Sequence, residues 1–159
     1  MTELAVELYG TRLGVLTGER NEFQFAATSE GIDRFGLGST VLSLAVPLLS
    51  TAPRRPRLVQ NFFEEVLSEG ATREQLALNA RLDSTNTMAL LARYGRDVAG
   101  SLQIWDPTDP AEPRIPEARP VTDAQIAAMF NEVRTNPLGN KGRRRLSSLA
   151  GVHDKVLLA

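Results

Sequence analysis

The chain contains no cysteine, so disulfides, thiolate nucleophiles and cysteine-ligated zinc are all excluded. That absence fits a reducing compartment. Histidine occurs once, as His153. A multi-histidine metal centre is therefore impossible, and any serine–histidine or histidine–carboxylate chemistry must pass through that residue. Lysine is nearly absent too: of 18 basic residues only Lys141 and Lys155 are lysines, and the rest are arginines. Long apolar runs are missing. The strongest, Val41 to Leu49, is too short to span a bilayer and is broken by Ser43 and Pro47. An acid at Glu3 stands where a secretory leader carries basic residues, so a soluble cytoplasmic protein with no membrane partner is expected. The net charge of −1 supplies no global field for nucleic acid or an anionic surface.

What is present is enough for a packed core: 159 residues, 42% of them hydrophobic. Leu4, Val6 and Leu8 alternate with Ala5, Glu7 and Tyr9, which predicts a half-buried strand. Leu13 to Leu16 pairs back across a turn at Gly10–Arg12, and Phe23–Phe25 supplies a third strand after Gly18–Asn21. Residues 28–40, with three glycines, read as loop. Val41 to Val46 reads as a strand stopped or placed at an edge by Pro47. Leu58, Val59, Phe62, Phe63, Val66 and Leu67 then recur at one-turn spacing, predicting an amphipathic helix that Gly70 ends. Thr72–Gln75 reads as a capping box opening a second helix to about Leu82. Asp83–Thr85 reads as the start of a third, with Met88, Leu91 and Tyr94 inward and Gly95 as stop. Val98 to Trp105 reads as a returning strand. The fold class expected is α+β, a mainly antiparallel sheet with packed helices.

Five prolines between residues 106 and 120 mark a linker or an extended strap. Thr122–Gln125 is another capping box, and Ile126, Met129, Phe130 and Val133 form one stripe of a short helix that Asn136–Pro137 ends. Val156 to Ala159 reads as a buried strand just beginning. An apolar strand stub exposes unpaired backbone, so the segment is expected to belong to a sheet completed by other residues. Gly151 and Lys155 flank a turn whose amides could cradle an anion, although a plain hairpin turn explains the same residues. Lys141 with Arg143 to Arg145, and Arg54, Arg55 and Arg57, read as solvated loops. Glu64, Glu65 and Glu69 read as the wet side of a helix, and Arg96–Asp97 as a structural clamp.

Ser148-Leu149-Ala150-Gly151-Val152-His153-Asp154-Lys155 closely resembles the ATP-loop motif of HipA-type serine/threonine protein kinases. Earlier segments are similar to that family's N-terminal domain in the same order. They are Leu4–Leu8, Gly10, Leu13–Leu16, Phe23, Phe25, Leu42–Leu44, Pro47–Leu48, Asn61–Gly70, Arg73 and Leu90–Leu102. The resemblance implies three parts: 1–105 as the HipA-like N-terminal domain, 106–120 as the Pro-rich linker, and 121–159 as the start of a kinase-like N-lobe, truncated after its ATP loop.

The family's full-length members use ATP and magnesium to phosphorylate protein serines and threonines, aminoacyl-tRNA synthetases among their targets. They are toxins paired with a small helix-turn-helix antitoxin, which alone touches DNA. By this resemblance Leu149, Ala150, Gly151, Val152, His153, Asp154 and Lys155 form the phosphate loop. Ser148 matches the serine that is autophosphorylated to switch activity off, with Ser147 as the fallback. His153 departs from the family's glutamine, and the imidazole retains an N–H donor for phosphate. The family's ATP-anchoring lysine, catalytic aspartate and magnesium ligands have no counterpart here, so no catalytic or metal residue is assigned. Tight binding of ATP or magnesium by this chain alone is not expected. Two alternatives remain open: a stand-alone interaction module that binds a separately encoded kinase core or an antitoxin, and a decayed gene.

Overall fold

The structure, a computed structural model, describes residues 1–51, 56–110 and 120–137. Its centre is a four-stranded antiparallel sheet in the order β3-β2-β1-β4, made of β1 (Thr2–Leu8), β2 (Thr11–Glu19), β3 (Glu22–Ala27) and β4 (Leu102–Trp105). The α+β class expected from the sequence is the one found. Alternation decides the faces. Leu4, Val6 and Leu8, with Phe23, Phe25, Leu102 and Ile104, lie in the buried core. The β1–β2 connection is a two-residue turn in which Tyr9 (φ 51°) and Gly10 (φ 75°) are both left-handed, the twist that suits a tight hairpin. A bulge between Val6 and Glu7 shifts the register, so that Val6 faces Gly14 and Glu7 faces Arg12.

Gly14 on β2 makes space for the ring of Phe25 on β3. A Cβ at Gly14 would run into that ring and stand 2.6 Å from the Ala26 carbonyl oxygen. Phe25 and Phe23 then reach Phe63 of α2 (Pro56–Glu65), with ring centroids 5.9 and 6.4 Å apart. Val59 and Phe63 form the buried side of α2, as their spacing predicts, but Leu58 is exposed, the helix ends at Glu65 before Val66 and Leu67, and Gly70 opens the next helix rather than ending this one.

Helices α3 (Gly70–Ala80) and α4 (Thr87–Tyr94) complete the layer, and the Tyr94 hydroxyl donates to the Leu76 carbonyl at 2.7 Å. Burial raises the Tyr94 pKa above the usual phenol value. The amides that open α4 are satisfied from three places. Thr87 N–H donates to Asn21 Oδ1 (3.1 Å), Met88 N–H to the Arg20 carbonyl (3.0 Å), and Ala89 N–H to Asn86 Oδ1 (3.1 Å). The β2–β3 turn thus caps a helix more than sixty residues away.

Both sheet edges are guarded. On β3, Ala27 N–H donates to the Leu49 carbonyl (2.7 Å) and Gln60 Nε2 donates to the Phe23 carbonyl (3.4 Å). On β4, the 3-10 turn Gly95–Asp97 lies so close that a Cβ on Gly95 would stand 2.6 Å from the Ile104 carbonyl oxygen.

Several local expectations are corrected. Residues 28–40 are not all loop: Ser29–Phe35 is a helix, α1, whose Gly31 amide donates to Thr28 Oγ1 at 3.2 Å. Gly31 suggested a break, yet it is there because a Cβ would stand 2.5 Å from the Leu13 carbonyl oxygen. Val41–Val46 is no strand. It folds into a tight turn in which Val46 N–H donates to the Ser43 carbonyl (3.1 Å), while Val46 and Leu48 anchor the loop in the core. Thr72 opens no helix, because α3 already starts at Gly70, left-handed at φ 53° after the buried pair Leu67–Ser68. Asp83 precedes α4 without capping it and closes a turn instead, accepting from the Thr85 amide at 2.9 Å. Residues 98–101 form a turn, with Gly100 at φ 81°, so β4 is shorter than expected. The capping box at Thr122 is present and opens α5 (Asp123–Asn131), which ends several residues before Pro137.

Candidate functional site

Ser147, Ser148 and the loop from Leu149 to Lys155 lie outside the described residues, as do the basic groups Arg54, Arg55, Lys141 and Arg143 to Arg145. Among the described residues, two recesses and one helix face stand out.

The larger recess is an open groove of about 610 Å³ beside α2 and α3. Asn21, Asn61, Glu64, Glu65, Glu69, Arg73 and Thr85 contribute to its wall. Position on the helix makes Glu64 and Glu65 solvent-facing, as the sequence suggested. Arg73, however, is a basic partner that linear spacing did not reveal. It is only 14% exposed, and it binds Glu64 at 3.3 Å, the Ser84 carbonyl at 2.8 Å and Thr87 Oγ1 at 3.1 Å. The guanidinium therefore ties α2, the α3–α4 connection and the first turn of α4 together, and its donors are directed at the fold. Next to it Asp83 accepts from Thr85 and from Arg20 Nη2 at 2.6 Å. The Thr85 hydroxyl and amide, helped by Arg20, hold the Asp83 carboxyl down at a pKa of about 2. The one guanidinium in this wall is committed to holding helices together, so the groove offers its carboxylates no free basic partner for acid–base work.

The smaller recess, about 310 Å³, lies where the β1–β2 turn meets the 3-10 turn and the start of β4. Tyr9, Arg96, Ser101 and Gln103 contribute to it. Arg96 fulfils its expected role as a clamp: Nη1 donates to Gln103 Oε1 at 2.7 Å, and the guanidinium carbon sits 4.4 Å from the centre of the Trp105 ring. Trp105 ends β4 and, despite its size and hydrophobicity, is not part of the buried core. It lies half-buried on the other side of the sheet, in one row with Ala5, Val15 and Ala26. The odd–even register assigns it to that side, so strand parity held the signal that hydrophobicity alone concealed. Its indole N–H is buried with no acceptor.

On α5, Ile126 and Met129 are half-buried and Phe130 is 55% exposed, while Val133, expected in the same helical stripe, lies half-buried in the turn that follows. Asn79 Nδ2 donates to the Thr135 carbonyl at 2.9 Å and so ties this region to α3. Among the described residues, no group of three or more histidine, cysteine, aspartate or glutamate side chains is placed to hold a metal ion, and no helix is long and apolar enough to cross a membrane.

This is the architecture of an α+β domain in which Arg20, Arg73 and Arg96 tie distant elements together. The family of HipA N-terminal domains matches it over residues 4–105, well over half the chain, and the chain belongs to that family. It is also 34% identical over 124 residues to a Sinorhizobium fredii (strain NBRC 101917 / NGR234) protein named Putative kinase Y4mE. That similarity covers 71% of this chain, slightly more than the family match can supply, so the likeness continues beyond 4–105. It covers only 29% of the relative, so the chain spans less than a third of the relative's length.

Proposed function

We propose that this chain is the N-terminal part of a HipA-like toxin kinase that transfers the ATP γ-phosphate to serine or threonine of protein targets, and that it is inactive alone. The observation that carries this reading is the match to a relative named as a kinase, in which the matched region is a minor fraction of a longer protein. In this reading residues 1–105 are the HipA-like domain, 106–120 the linker and 121–159 the beginning of the kinase-like lobe. Leu149 to Lys155 then cover the ATP phosphates, with magnesium held by residues of the catalytic part, and Ser148, or failing it Ser147, is the autophosphorylated switch. A helix-turn-helix antitoxin is the partner, reaching DNA on the complex's behalf, and the compartment is the cytoplasm.

The test is γ-labelled ATP with a mixture of protein substrates. The purified chain is expected to transfer no label, and transfer by the chain alone would overturn its assignment as a non-catalytic part. Reading the coding DNA beyond Ala159 separates the possibilities further. A continuation carrying the ATP-anchoring lysine and a catalytic aspartate supports this reading, and an unrelated neighbouring gene counts against it.

A second reading is a stand-alone interaction module for a separately encoded kinase core or an antitoxin. What favours it is the closure of the domain: a continuous core from Leu4 to Ile104 and a sheet guarded at both edges. Co-purification of the tagged chain with a neighbour-encoded kinase core or antitoxin would support this reading, and a monomer that captures neither from its own cells would sink it.

A further inference from the structure

We draw no further inference here: the strongest candidate, the apolar stripe of α5 formed by Ile126, Met129 and Phe130, is a helix face with no fully buried residue, and nothing in the structure shows what covers it.

Discussion

Helix α3 has Glu69 at its N-cap position, where no side chain bonds to the open amides, yet it buries Leu76 and Ala77. Helix α5 opens on a complete capping box, Gln125 accepting from the Thr122 amide at 2.8 Å and the Gln125 amide donating to Thr122 Oγ1 at 3.3 Å, yet it buries no residue at all. The two helices are of similar length. A cap is worth about 1 kcal/mol, whereas each buried leucine contributes about 1.5–3 kcal/mol. A helix of nine residues is marginal in water by itself. Burial therefore outweighs capping here, and the body ending at Trp105 is stable in a way that α5 is not.

The largest effect expected from this contrast comes from its two phenylalanines. Phe63 is fully buried against Phe23 and Phe25, so Phe63→Ala should lower unfolding free energy by about 3–5 kcal/mol in urea or thermal melts. Phe130→Ala on α5 should change it by less than about 0.5 kcal/mol. Equal losses at both positions would mean that α5 is packed as tightly as the body, and the contrast would collapse.

Next comes the close approach of β2 and β3. Gly14→Ala forces a methyl group into the Phe25 ring, and the expected loss is about 1–3 kcal/mol from overpacking. If calorimetry shows no loss, the sheet and Phe25 shift more freely than the guarded edges suggest.

Caps sharpen the comparison at a smaller scale. Asn86→Ala removes the acceptor for the Ala89 amide and should cost about 1 kcal/mol of global stability. Thr122→Ala removes the same kind of bond on α5. It should leave the global melt unchanged and speed amide exchange only within 123–131. Loss of global stability in the second variant would show that α5 unfolds together with the body.

The smallest effect is electrostatic. Asp83 is held at a pKa of about 2 against a usual 3.8, so its stabilising contribution is complete above the usual value and fades as pH falls toward 2. Asp83→Asn should flatten acid unfolding over that window and remove the same small increment at every pH above it. The carboxylate is exposed, so solvent screening keeps the effect small. An unchanged acid limb in the variant would assign the acid sensitivity to other carboxylates.

Legibility followed the range of the interactions. The three-stranded meander, the buried side of α2 and the inward residues of α4 were all readable, because alternation and one-turn spacing are properties of neighbouring residues. Helix α1 was not. Gly31 looked like a breaker until the Leu13 backbone was placed against it. The turn at 43–46 looked like a strand because Ala45 and Val46 pack onto the core from a loop, with Leu44 exposed between them and Ser43, and composition alone cannot separate those cases. Arg73 and Asn21 were unreadable as structural ties, since their partners lie between 9 and 66 positions away. The phosphate loop and its serine rest on the motif from Ser148 to Lys155, which the described residues do not reach.

By itself the sequence determined the class of fold, the strand parity that assigns Trp105 and the Leu4–Val6–Leu8 row to opposite sides of the sheet, and the amphipathic stripes, because each is set by a repeat of two or of 3.6 residues. Only the tertiary structure decided where α3 and α4 begin, which glycines are obligatory, and which stripe is buried. Those outcomes depend on what another part of the chain places within a few ångströms, and no local repeat carries that information.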